Sequence, residues 1–185
     1  MSKPCSGHFS GTTGSKNAYK NLSQNKDMSV IIISKGLDLR EHPTKYKQLS
    51  SQKRKKLREK VQKRTISKTE YKRLDWQRRL DARRKAGIDS FWDMERDRVS
   101  RKLPATRNWS EEQRDDILNH KRPKFKDKVM IGHHTYCVAK YPHLANQGAL
   151  IYPVTPYEHA NRWHYKGTKN NVPGRPNNYK AKEQF

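Results

Sequence analysis

Cysteine, acidic residues and long apolar runs are what this sequence lacks. Only Cys5 and Cys137 are present, too few for a disulfide framework, and they lie in segments of different character, so they assign neither a bridge nor a redox compartment. A bilayer-spanning helix needs about 18 or more apolar residues in succession, and the run Val30 to Ile33 is far too short. Met1 to Gly14 is polar and rich in Ser, Gly and Thr, without the apolar centre of a secretory signal. Hydrophobic residues make up 31% of the 185, so part of the chain is expected to be extended, mobile or folded only on a partner. Acid is scarcest of all: 18 Asp and Glu face 42 Lys and Arg, a net charge of +24. Such a field concentrates polyanions, which makes nucleic acid the leading partner and an anionic membrane surface the second.

The length fits one domain plus an extension, and composition divides the chain. Residues 1–44 read as irregular, with one candidate edge strand at Ser29 to Ser34 that ends in Lys35-Gly36. Residues 45–108 form a basic helical arm; from Lys45 to Lys102 there are 22 Lys and Arg against 8 Asp and Glu. Within it, Lys53 to Arg64 sets Leu57 and Val61 at i, i+4 with cations around the remaining circumference, so Lys53, Arg54, Lys55 and Lys56 are candidate phosphate contacts. Ser67-Lys-Thr-Glu70 fits a capping box that opens a second helix with Tyr71, Leu74 and Arg78 on one face and Gly87 at its end. Asp89-Ser90 then starts a third helix through Ser100, burying Phe91, Trp92, Met94 and Val99. A solvated helical face is the alternative reading of the whole arm.

Residues 109–176 form the compact region, with 177–185 as a tail. Ser110-Glu-Glu-Gln113 is another capping box, opening a helix to Asn119 with Ile117 and Leu118 as core contacts. Lys126-Asp127 is a turn, Val129 to Ile131 leads as a strand into Gly132-His133-His134, and Ala149 to Val154 is a second strand. Thr155 caps a final helix with Pro156 in its first turn, over Tyr157 to His164. The order is strand, long loop, strand, helix. His133, His134, His143, His159 and His164, five of the eight histidines, fall here and suit metal binding or acid-base chemistry. Two spacings strain a single site. Neighbours on a strand point to opposite faces, so His133 and His134 share one only if the strand is bent, bulged or ending there, a distortion that Gly132 permits. His159 and His164 are about 140° apart on an α-helix, so either the helix frays at Trp163 or His164 stands behind the ligands.

The motifs Arg122-Pro-Lys-Phe125, Met130-Ile-Gly-His-His-Thr-Tyr136, Lys140-Tyr-Pro-His-Leu-Ala-Asn146, Ile151-Tyr-Pro-Val-Thr155, Glu158-His159 and Trp163-His164 resemble the HNH/endonuclease VII superfamily (GHH-type) nuclease domains of bacterial polymorphic toxins, of Rhs and LXG type, similar in site layout to DNase colicins. The resemblance implies an α+β fold: a C-terminal ββα-metal (His-Me finger) nuclease core behind the basic helical N-terminal extension. It implies His134 as general base with Asn146 and Glu158 in supporting catalytic places, and His133, His159 and His164 as ligands of one divalent metal ion, Mg, Mn, Ni or Zn. Imidazole suits zinc and nickel better than magnesium. Arg175, in the turn Pro173 to Pro176, either reaches a phosphate or belongs to a solvated tail, and His143 is structural or near the phosphate. The implied activity is a largely sequence-non-specific DNase toxin leaving 5′-phosphate ends, delivered into target bacterial cells and restrained by an acidic cognate immunity protein. Two alternatives stay open: an RNase or tRNase of the same fold, and a non-enzymatic nucleic-acid-binding protein with structural zinc on His134, Cys137, His159 and His164. Residues 1–108 are alternatively a delivery or linker segment of a longer toxin.

Overall fold

A computed structural model describes residues 36–44, 46–167 and 172–185. The strand expected at Ser29 to Ser34, and Cys5, lie outside these residues. Helix α1, Ser51–Gln62, is capped by Ser50, whose Oγ accepts from the Lys53 amide at 3.3 Å. Leu57 is buried whereas Val61 is 38% exposed, so the apolar stripe is one residue deep and polar contacts do the docking. Arg54 donates to Asp81 Oδ2 at 2.9 Å, and Lys60 Nζ meets Glu70 Oε1 at 2.6 Å. Buried Gln77 accepts from the Leu49 amide at 2.7 Å and donates to Asp81 at 3.0 Å.

Helix α2, Lys68–Ser100, begins at the expected Ser67 capping box but does not stop at Gly87. Glycine costs a helix interior only about 1 kcal/mol, and here its missing Cβ is used. A side chain at Gly87 would collide with the Ala145 carbonyl oxygen and press on the Asn146 backbone. The packed face runs through Gln77, Leu80, Gly87, Phe91, Glu95 and Val99 at intervals of three to four or a simple multiple, not through Tyr71, which is 54% exposed. Fully buried Glu95 holds the segment after α2 by accepting from the Thr106 amide at 2.7 Å and Trp109 Nε1 at 2.6 Å. Helix α3, Glu111–Leu118, follows its Ser110 capping box; Ile117 is buried, but Leu118, one residue round the helix, is 40% exposed.

Strands β1, Lys124–Phe125, and β2, Lys128–Val129, pair about Lys126 and Asp127, whose φ angles of 46° and 62° give the turn a left-handed path that suits a two-residue hairpin. Strands β3, Ile131–His134, and β4, Ile151–Val154, form a second antiparallel pair with the register Ile131↔Val154, Gly132↔Pro153, His133↔Tyr152 and His134↔Ile151. Helix α4, Pro156–Glu158, follows at once, with Thr155 as cap. The architecture is α+β in a strand, strand, helix order. One core joins α2 and α3 to the sheet through Phe91, Trp92, Trp109, Ile117, Met130 and Ile151. A second, of Tyr136, Tyr141, Leu144 and Leu150, is covered by Leu37 and Leu39.

Candidate metal centre and cleft

The β3–β4 register has no bulge at Gly132; of the expected alternatives it is the strand's end, at His134, that is found, and the paired histidines diverge as an ordinary strand requires. The glycine serves a different end: a Cβ there would stand 3.0 Å from Ile88 of α2 and 3.2 Å from Ile151, so its absence lets the strand lie close to the helix. His133 turns towards the element after α4, and its ring centroid lies 5.1 Å from that of His159, 5.0 Å from His164 and 4.4 Å from Trp163. His134 turns the other way and donates its Nε2–H to the Ala145 carbonyl at 2.9 Å. The strand ends there, and both histidines border one cleft of about 1390 Å³ together with Lys47, Arg84, Cys137, His159, Asn161 and His164.

The five-residue spacing of His159 and His164 is resolved by a change of helix type. After Glu158 the chain widens into a π-helical turn, His159–Trp163, and the His164 amide donates to the His159 carbonyl at 2.9 Å, an i to i+5 bond. The wider turn stacks positions five apart, so the two imidazole centroids come to 4.6 Å. The helix neither remains α-helical nor simply frays. One donor atom each from His133, His159 and His164 lies within 4.8 Å of the others.

Electrostatics favour neutral imidazoles, the form that binds metal. Burial first, and then the neighbouring His159, His164, His134 and Arg84, hold His133 down at about 2; burial, and then His164, lower His159. His133 is 4% exposed, and its Nε2 is buried with no hydrogen-bond partner. Such an atom costs free energy unless something satisfies it. A divalent ion held by the three imidazoles would do so, and an all-imidazole set suits zinc, nickel or another borderline ion. Burial also lowers His134, to about 4, against the opposing bond to Ala145 and with help from Arg84.

Other expected residues lie elsewhere. Glu158, expected among the catalytic residues, is 1% exposed and turned into a buried lock: Arg107 donates to its two oxygens at 2.6 and 2.9 Å, and the Thr155 and Gln184 amides at 2.9 and 2.7 Å. Arg107 also reaches the Pro153 and Phe185 carbonyls, fixing the start of the helix that carries His159. Asn146 is exposed and accepts from Arg83 at 3.2 Å; its neighbour Ala145 supplies the carbonyl under His134. His143 donates to the Asp38 carbonyl at 2.7 Å, outside the cleft. Lys53, Lys55 and Lys56 are exposed on α1 while Arg54 is paired to Asp81. Arg175 lies 5.5 Å over the Tyr179 ring. The zinc set of His134, Cys137, His159 and His164 is not assembled among the described residues, because His133 faces the other two histidines instead.

Arg84, Lys47, Arg107 and the Ala145 carbonyl escaped sequence reading. Arg84 was findable: it lies four residues beyond Leu80 and seven before Phe91, on the face of α2 that packs.

A divergent histidine pair at a strand end, one ring beside a π-helical histidine pair in a cation-lined cleft, is a candidate metal centre. Residues 74–155 match the family model Tox-GHH, a GHH signature containing HNH/Endo VII superfamily nuclease toxin. Over these residues the chain is thus similar to GHH nuclease toxins, a family that goes with nuclease activity on nucleic acid. The match begins inside α2, upstream of the Trp109 start expected from the motifs, and ends before His159 and His164. No curated protein and no solved structure matches the chain. No helix among the described residues is long and apolar enough to cross a membrane.

Proposed function

We propose that the protein is a divalent-metal-dependent endonuclease acting on DNA, deployed as an antibacterial toxin domain. The observation that carries this reading is the convergence of donors from three imidazoles within 4.8 Å, one of those rings carrying a buried nitrogen without a partner, in the cleft that His134 also borders. His133, His159 and His164 would hold the ion. When bound, it supplies charge relief at the phosphate and the leaving oxygen.

His134 acts as general base. With Nε2–H committed to Ala145, the lone pair sits on Nδ1, which takes a proton from the attacking water. Arg84, whose Nε is buried without a hydrogen-bond partner, and Lys47 bind the phosphate from the cleft wall. Asn146 and Glu158 act by positioning: Asn146 ties its loop to Arg83, and Glu158 with Arg107 anchors α4. Lys53, Lys55 and Lys56 follow the backbone beyond the cleft without reading sequence. Arg54 is the docking residue of α1, and Arg175 stands on the periphery. The nuclease unit includes α2 from about residue 74, because that helix carries Arg84, Gly87 and Phe91 against the site. A net charge of +24 favours fast, salt-sensitive capture by an acidic immunity protein, and a nuclease toxin of this kind works inside the target cell.

Purified protein is incubated with plasmid DNA and with total RNA, with added Mg, Mn, Ni or Zn and with EDTA. The expected result is metal-dependent plasmid degradation that EDTA stops. Degradation of RNA with the plasmid intact assigns an RNase; metal-loaded protein that binds but cuts neither contradicts the enzymatic reading.

A further inference from the structure

The segment before α1 lies across the long β3–β4 connection, and the two are joined by more than packing. The His42 amide donates to the Lys140 carbonyl at 2.8 Å and the Thr44 amide to Ala139 at 3.1 Å. Leu37 and Leu39 cover the second core. At this crossing stand two histidines and a carboxylate that the nuclease reading leaves unused.

We propose that Asp38, His42 and His143 form an accessory site for a divalent transition ion, zinc in the first instance. Asp38 and His42 are four residues apart on the strap, with His42 Nε2 2.9 Å from Asp38 Oδ2. The His42 and His143 rings meet edge to face with centroids 4.6 Å apart. His143 gives its Nε2–H to the Asp38 carbonyl at 2.7 Å, which leaves the lone pair on Nδ1. That Nδ1 is buried and has no hydrogen-bond partner, so the ring keeps an acceptor with nothing to accept from.

One donor atom from each residue lies within 4.8 Å of the others. Ligands bonded to a tetrahedral zinc at about 2.0–2.1 Å stand about 3.3–3.4 Å apart, so loading opens the His42–Asp38 pair from 2.9 Å and adjusts the separations to His143. The His42 side chain, 50% exposed, can supply that movement, with its ring proton shifting to Nδ1. Arg40 holds both Asp38 oxygens, at 2.9 and 2.8 Å, and is the competitor for them. Its side chain is 75% exposed, so such a pair contributes little and is readily rearranged, while a guanidinium left on Oδ1 orients Oδ2 as outer partners orient ligating carboxylates. Carboxylate and imidazole together suit zinc over magnesium or calcium. An ion here would staple the strap to the loop two residues before Ala145, whose carbonyl supports His134.

The test uses the whole chain, stripped of metal and titrated with zinc at low micromolar concentration, with bound zinc counted per chain. The double variant His133→Ala, His159→Ala is expected to keep one zinc equivalent, and adding His42→Ala to remove it. Zinc should raise the melting temperature of the double variant by several degrees and leave the triple variant unmoved. A double variant that binds no zinc overturns the accessory site, as does zinc that persists when both His42→Ala and Asp38→Asn are added to that double variant. The His133 cluster is read separately, by whether His42→Ala alone still binds one equivalent, so neither site's failure is mistaken for the other's.

Discussion

The two faces of β3 solve different problems with the same side chain. On one, His133 is packed against Trp163 and two further imidazoles, with a buried nitrogen left unpaired. On the other, His134 is fixed by one backbone carbonyl from a loop that approaches α2 over Gly87. Ligand binding tolerates a desolvated ring held by neighbours; a base needs its tautomer chosen. In the proposed mechanism the strand's alternation separates the two tasks, and its end at His134 brings both residues to one cleft.

Breaking the support of the first face should have the largest effect. Arg107→Ala leaves Glu158 buried and uncompensated and should cost about 3–5 kcal/mol of stability, seen as a lowered denaturant midpoint with unchanged m. A near-neutral result would mean that α4 is held by packing alone. The second face is tested at a distance by Gly87→Ala. It should displace the Ala145 carbonyl and slow cleavage by up to about 10²-fold, with metal affinity unchanged; equal loss of metal would merge the two faces.

A pH profile sharpens the contrast. As the proposed base His134 must be neutral to act, and its burial lowers it to about 4. At saturating metal, kcat/KM should therefore hold as pH falls through 6.5 and drop only nearer 4. Arg84→Ala should move that limb slightly upward, because it removes a charge that opposes protonation. An acid limb at 6.5 or above would contradict the burial of the base. The smallest effect belongs to α1: replacing Lys53, Lys55 and Lys56 together should weaken DNA binding uniformly across sequences and flatten its salt dependence by about three phosphate contacts, with both histidine faces untouched.

Much of this was legible in the sequence where local chemistry decides the outcome. The capping boxes at Ser67 and Ser110 and the cap at Thr155 start the helices where expected, because a cap is settled within four residues. The histidines were identifiable by type and clustering. What escaped depends on partners far along the chain: Gly87 reads as a stop until Ala145 lies against it, and Glu158 reads as catalytic until Arg107 claims both oxygens. The π turn was hidden as well, since its one-residue widening leaves no mark in the composition of residues 159–163.

The division of labour is tested most directly by measuring metal affinity and single-turnover cleavage side by side for His133→Ala and His134→Ala. The account predicts that His134→Ala binds metal as the parent protein does while cleavage falls by about 10²–10⁴-fold, and that His133→Ala loses metal and cleavage together. A His134→Ala protein that cuts at the parent rate, or that loses its metal as His133→Ala does, would contradict it.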